Sequence, residues 1–143
     1  MRRTFSLVVL SIAVLAGCAA SPPTEPPAAA TPIPLDGTSW VAVSINDTNT
    51  VAGAMPTLAF DGDRVSGSTG CNTFGGTVVS KADGGVRFVD VVVTEIGCPD
   101  PVGSQEATFL AILGLPARLA VDEGMLFVTT PAGQVVFEGR TGG

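Results

Sequence analysis

From Leu35 onward, apolar and polar residues alternate in short runs broken by turn residues, the period-two pattern of β-strands. In Ser39–Ile45, Trp40, Ala42 and Ser44 fall on one face and Val41, Val43 and Ile45 on the other. The β-branched face is the expected core face. Runs 57–60 and 64–69 flank Asp61-Gly62-Asp63, whose glycine allows the positive φ of a tight hairpin. Runs 76–80 and 86–94 flank 81–85 in the same way, and 117–121, 125–130 and 134–138 follow between further turn clusters. One stretch differs. Over 104–113, Ala107, Leu110 and Leu113 recur at a helical spacing with Phe109 and Ile112 beside them, Ser104 as N-cap and Glu106 in the first turn. Gly114 and Pro116 end it. The pattern predicts a mainly β domain, a small antiparallel β-barrel of about eight strands with one α-helix between strands five and six, because closure removes the edges that many short strands would expose.

Before this domain the pattern changes twice. Arg2 and Arg3 precede an apolar run from Leu7 to Leu15 that is too short to span a bilayer, and Ala16-Gly17 supply small residues for a peptidase. Residues 1–17 read as a lipoprotein signal peptide, with Cys18 of Leu15-Ala16-Gly17-Cys18 as the lipidation residue. Cleavage before Cys18 would free its amine and leave its thiol for diacylglycerol, a two-chain anchor that is stable where a single chain is marginal, since each buried CH₂ contributes about 0.8 kcal/mol. Arg2-Arg3-Thr4-Phe5 also resembles a twin-arginine start, although the strongly apolar core suits general secretion better. Residues 18–34 carry Pro22, Pro23, Pro26, Pro27, Pro32 and Pro34 among Ala, Ser and Thr, a mix that buries no core. They read as a tether reaching a few tens of Å, at about 3 Å per residue. Residues 35–143 form the single domain, one core being all that this length supports.

Charge narrows the partners. The 143-residue chain has a formal charge of −6, which becomes −8 once Arg2 and Arg3 leave with the leader. The remaining cations, Arg64, Lys81, Arg87, Arg118 and Arg140, are scattered, so neither nucleic acid nor anionic lipid headgroups are expected partners. The expected attachment is lipid at Cys18, with an envelope protein as possible partner and a monomeric state. There is no histidine, which removes the usual base for a Ser or Cys nucleophile. Asp61 and Asp63 read as hairpin residues rather than as an acid–base or Ca²⁺ pair. No catalytic residues, metal or cofactor are expected.

The other two cysteines, Cys71 in Gly70-Cys71-Asn72-Thr73-Phe74-Gly75-Gly76 and Cys98 in Thr94-Glu95-Ile96-Gly97-Cys98, would lie outside the cytoplasm, where thiols oxidise. They read as one disulfide. Zinc wants four N or S donors, and a redox pair usually has Cys-x-x-Cys spacing, which is absent. Between them, Asn72 is expected to fix the turn that aims Cys71 at Cys98, with Phe74 tucked into the core.

Together, Gly67, Gly70-Cys71-Asn72-x-Phe74-x-Gly76, Thr94-x-Ile96-x-Cys98, and Glu106 with Phe109-Leu110 on a helix resemble the META domain family of HslJ-type heat-shock lipoproteins. Gly37-Thr38-x-Trp40 and Pro56-Thr57-Leu58-x-Phe60 fit the same pattern, which covers about residues 35–140. Thr73, Val78 and Ile96 depart from it, where the family often has Arg, an aromatic and Met. The resemblance implies a β-barrel with one helix and a non-catalytic role in the bacterial envelope, linked to stress and antibiotic tolerance. A second reading is a carrier or sensor holding a small apolar ligand inside the barrel.

Overall fold

A computed structural model describes residues 34–140. The leader expected over 1–17, Cys18, and all of the expected tether except Pro34 lie outside the described residues. The elements are β1 (Ser39–Ile45), β2 (Thr48–Asn49), β3 (Thr57–Asp61), β4 (Arg64–Ser68), β5 (Thr73–Ser80), β6 (Val86–Val93), α1 (Val102–Leu113), β7 (Arg118–Asp122), β8 (Met125–Thr130) and β9 (Gly133–Gly139). The strands make one antiparallel sheet in the order β6-β5-β4-β3-β1-β9-β8-β7, with β2 attached to β1. Successive hairpins build both flanks, and β1 joins them by pairing with β3 on one side and β9 on the other.

The sheet is a curled half-barrel and not the closed barrel expected from the strand pattern. Its two edges, β6 and β7, meet only at an isolated bridge, where Val86 N donates to the Ala117 carbonyl at 2.8 Å and Ala117 N to the Val86 carbonyl at 2.9 Å. The helix explains the opening. It occupies the connection between β6 and β7, packs on β1, β8 and β9, and buries Phe109, Ile112 and Leu113. Burial of its apolar side covers the interior that edge-to-edge pairing would otherwise seal. The two-residue β2 raises the count to nine, so the helix lies between the sixth and seventh strands, not the fifth and sixth.

Three local expectations also change. In β1 the buried residues are Trp40, Ala42 and Ile45, while Val41 and Val43 are only half-buried. The register shifts between Ala42 and Ser44, and one extra residue, Val43, reverses side-chain parity so that residues from both predicted faces reach the core. The helix begins at Val102 after Pro101, two residues before Ser104; Asp100 Oδ1 accepts from Ser104 N at 3.1 Å and Ser104 Oγ at 2.6 Å. Glu106 consequently lies beyond the first turn, and the buried stripe is rotated so that Ala107 is exposed. Finally, β5 starts at Thr73 instead of Gly76, and Gly76 lies beside an irregularity where Asp90 of β6 takes φ 52°.

The interior is filled. Leu58, Phe60 and Val65 from β3 and β4, Leu126 and Val128 from β8, and Val135 and Phe137 from β9 alternate inward at period two and meet the helix. Phe109 lies at the centre, with ring centroids 5.9 Å from Phe74 and 6.3 Å from Phe137, tilted and edge-on as aromatic pairs favour.

Candidate functional site: a disulfide and a carboxylate around Asn72

The β4–β5 connection is a tight loop, Thr69 to Asn72. Thr69 N donates to the Asn72 carbonyl at 2.8 Å, and Asn72 N donates back to Thr69 Oγ1 at 2.9 Å. Gly70 is at φ +98°, and a Cβ there would stand 2.1 Å from the Ala54 carbonyl oxygen, so both backbone conformation and space demand glycine. Gly67, just upstream, lies equally close to its neighbour: a Cβ would meet the Thr57 carbonyl oxygen at 2.0 Å and the Phe74 ring at 3.0 Å.

Asn72 is 3 % exposed and ties three segments together. Its Oδ1 accepts from Thr94 Oγ1 at 2.8 Å and from Ile96 N at 2.7 Å. Its Nδ2 donates to the Ile96 carbonyl at 3.0 Å and to Glu106 Oε1 at 2.9 Å, and lies 3.5 Å from Cys98 Sγ. Thr94 extends the zipper, its Oγ1 accepting from Thr73 N at 3.1 Å. The loop carrying Cys98 is thereby laid along the loop carrying Cys71. Cys71 and Cys98 form a disulfide with Cα atoms 6.2 Å apart, closing a span of 27 residues.

Glu106 enters from α1. Its Oε1 accepts from Asn72 Nδ2 and from Thr69 Oγ1, whose single proton goes to the carboxylate in preference to the more distant Asn72 carbonyl. Its Oε2 lies 3.0 Å from Cys98 Sγ. No cation pairs with Glu106 among the described residues, so neutral donors hold its charge. A groove of about 530 Å³ opens beside the cluster, lined by Asn72, Val93, Thr94, Glu95, Gly103, Glu106, Ala107 and Leu110.

Gly67, Gly70, Cys71, Asn72, Phe74, Thr94, Cys98, Glu106 and Phe109 thus belong to one neighbourhood, polar above and aromatic beneath. Trp40 takes no part; its Nε1 donates to Thr38 Oγ1 at 2.8 Å and its ring packs on Gly139. Gly76 takes part only through the β5–β6 irregularity. Asp61 and Asp63 sit at the β3–β4 turn. Cys71 Sγ, Cys98 Sγ and a Glu106 oxygen lie within 4.8 Å of one another, the one group of metal-type donors among the described residues, but the sulfurs are joined and offer no thiolate.

Two participants were not singled out from sequence. Thr69 is fully buried between the loop and Glu106; a hydroxyl three residues before Asn72 is the turn signal that marks it. Gln105 accepts from Val51 N at 2.7 Å through Oε1 and donates to the Ala54 carbonyl at 2.7 Å through Nε2, fastening α1 to the loop that abuts Gly70. Nothing in the sequence distinguishes it from a solvated helix residue.

Two solved NMR structures are similar to this chain. One shares 20% identity with a TM-score of 0.62, covering 73% of this chain and 90% of its own. The other, from Burkholderia xenovorans, shares 26% identity with a TM-score of 0.60, covering 76% and 85%. A search of curated proteins finds no relative. The model of the META domain matches residues 33–141, which span the whole sheet, the helix and the Asn72 cluster, and the chain belongs to the META domain family.

Proposed function

We propose that this protein is a membrane-anchored, extracytoplasmic META-domain lipoprotein with a non-catalytic structural or binding role in the bacterial cell envelope, in stress or antibiotic tolerance. The observation that carries the non-catalytic reading is the internal completeness of the motif. Asn72 directs its amide at Thr94, Ile96 and Glu106, so both polar atoms of its side chain are engaged inside the cluster. Groups committed to one another in this way hold a surface rigid. The filled interior around Phe109, Leu126 and Phe137 favours this reading over a carrier with an apolar ligand in the barrel. Leu15-Ala16-Gly17-Cys18 supports the anchor, and the disulfide fits an oxidising compartment. No helix among the described residues is long and apolar enough to cross a membrane.

The test is metabolic lipid labelling and fractionation of the parent and Cys18→Ser in the host, alongside growth of a deletion strain under heat and antibiotic challenge. The expected result is labelled, membrane-bound parent and an unlabelled Cys18→Ser protein, with only the parent restoring tolerance. Lipid-labelled, membrane-bound Cys18→Ser protein overturns the anchor, and a deletion strain as tolerant as the wild type overturns the envelope role.

A further inference from the structure

We propose that Cys71–Cys98 is a reversible thiol–disulfide exchange site whose dithiol form is provided for in the native fold by Glu106. Two oxygens crowd Cys98 Sγ, Glu106 Oε2 at 3.0 Å and the Ile96 carbonyl at 3.2 Å. Both are acceptors, and a disulfide sulfur has no proton to give; the one donor beside it, Asn72 Nδ2, lies farther off at 3.5 Å. The two halves of the carboxylate are treated differently: Oε1 has two donors, Thr69 and Asn72, whereas Oε2 faces only the sulfur among the described residues. Reduction gives Oε2 a donor from the protein itself, beside the groove that Glu106 lines. A Cys98 S–H makes a charge-assisted hydrogen bond to Oε2 that the oxidised form cannot make, so the surroundings complement the thiol better than the disulfide. The sulfur need not travel to reach it, because Asn72 holds the Cys98 loop through Ile96.

The chemistry is exchange with a low-molecular-weight thiol, RSH. Both cysteines are half-buried, which leaves the bond within reach of a small reagent. The carboxylate beside Cys98 repels a thiolate arriving at that sulfur, which leaves Cys71 as the sulfur attacked, and the same charge disfavours Cys98 departing as a bare thiolate, so its protonation accompanies the breaking of the bond. An RS–Sγ bond forms at Cys71, the Sγ–Sγ bond breaks, and the electron pair leaves on Cys98 Sγ, which takes a proton from water and donates it to Glu106 Oε2. A second thiol attacks the mixed disulfide, releasing Cys71 as a thiol and RSSR. The sum is protein disulfide plus two RSH giving protein dithiol plus RSSR. The Cys71–Cys98 separation has no redox-motif spacing; the tertiary contact with Glu106 takes the place of that signal. None of this depends on lipid at Cys18, so failure of the anchor leaves the inference standing.

The test equilibrates the full chain, purified in detergent with its disulfide intact, against mixtures of reduced and oxidised glutathione in native buffer. The dithiol fraction is read by alkylation and mass, and circular dichroism monitors the fold. The parent is expected to be reduced reversibly while remaining folded. Glu106→Gln, which keeps an oxygen for Thr69 and Asn72 but turns its amide toward the sulfur, is expected to favour the disulfide by about tenfold, or about 30 mV for a two-electron couple. Glu95→Gln removes an exposed charge that lines the same groove but has no hydrogen bond to the sulfur, and is expected to match the parent. The proposal is overturned if the parent disulfide resists glutathione until the chain is unfolded, if Glu106→Gln shifts the equilibrium by less than about threefold, or if Glu95→Gln shifts it as much. The first arm needs no variant, so it decides even if Glu106→Gln fails to fold.

Discussion

Asn72 and Glu106, 34 residues apart, are joined by a 2.9 Å hydrogen bond from Nδ2 to Oε1, and that bond couples the only helix among the described residues to the loop where β5 begins. The amide's other atom, Oδ1, holds Thr94 and Ile96 at the end of β6. One side chain therefore fixes three segments around the opening where the half-barrel lacks a strand pairing. An asparagine suits this position because its side chain accepts at one end and donates at the other.

Asn72→Ala strands the Ile96 amide and removes two partners from the Thr94–Glu106 network. Each buried group left unpaired costs about 1–3 kcal/mol, so the variant should lose about 2–4 kcal/mol. At about 4–8 °C per kcal/mol for a domain of this size, the midpoint should fall by roughly 10–25 °C. Thermal unfolding followed by circular dichroism checks this, and a melt within about 2 °C of the parent would mean that the cluster is not a brace.

Phe74 is 5 % exposed, stacks against Phe109 and covers Gly67. Phe74→Ala should cost about 3–5 kcal/mol, the loss of a buried ring plus the cavity it leaves. Val92 provides the contrast, since it is 74 % exposed on the outer side of the sheet, and Val92→Ala should stay within about 0.5 kcal/mol of the parent. Urea denaturation of both variants separates the cases; equal midpoints would contradict the aromatic centre described above.

Removing the disulfide releases a span of 27 residues. In the chain-entropy model Cys71→Ser should destabilise by about 3–4 kcal/mol, and Cys98→Ser by a similar amount. The double substitution should cost no more than either single one, because the bond is lost only once. Denaturant midpoints that add across the two positions would show that each cysteine contributes by packing instead.

Much of this protein is determined by local sequence. Alternation at period two in β8 and β9 specifies inward residues directly, and Leu126, Val128, Val135 and Phe137 are fully buried. The Asp61-Gly62-Asp63 hairpin and a helix ended at Gly114 likewise follow from turn chemistry, and the Cys71–Cys98 bond joins the two motifs that the sequence sets apart. The hairpin and the helix end are near-neighbour properties. Other features depend on what arrives from far along the chain. Whether Trp40 or Val41 faces inward turns on an extra residue at Val43, which local alternation does not encode. Whether the sheet closes turns on competition between edge pairing and helix packing, and the burial of Phe109, Ile112 and Leu113 leaves β6 and β7 joined at one bridge. Glu106 looks like a helix-terminus acid in the sequence, yet its chemistry comes from Thr69, Asn72 and Cys98, none of them near enough in sequence to announce the contact. Periodicity carries the direction in which a side chain points; only the packed chain decides what it meets there, because such contacts form between segments whose relative placement is set by the burial of the core as a whole.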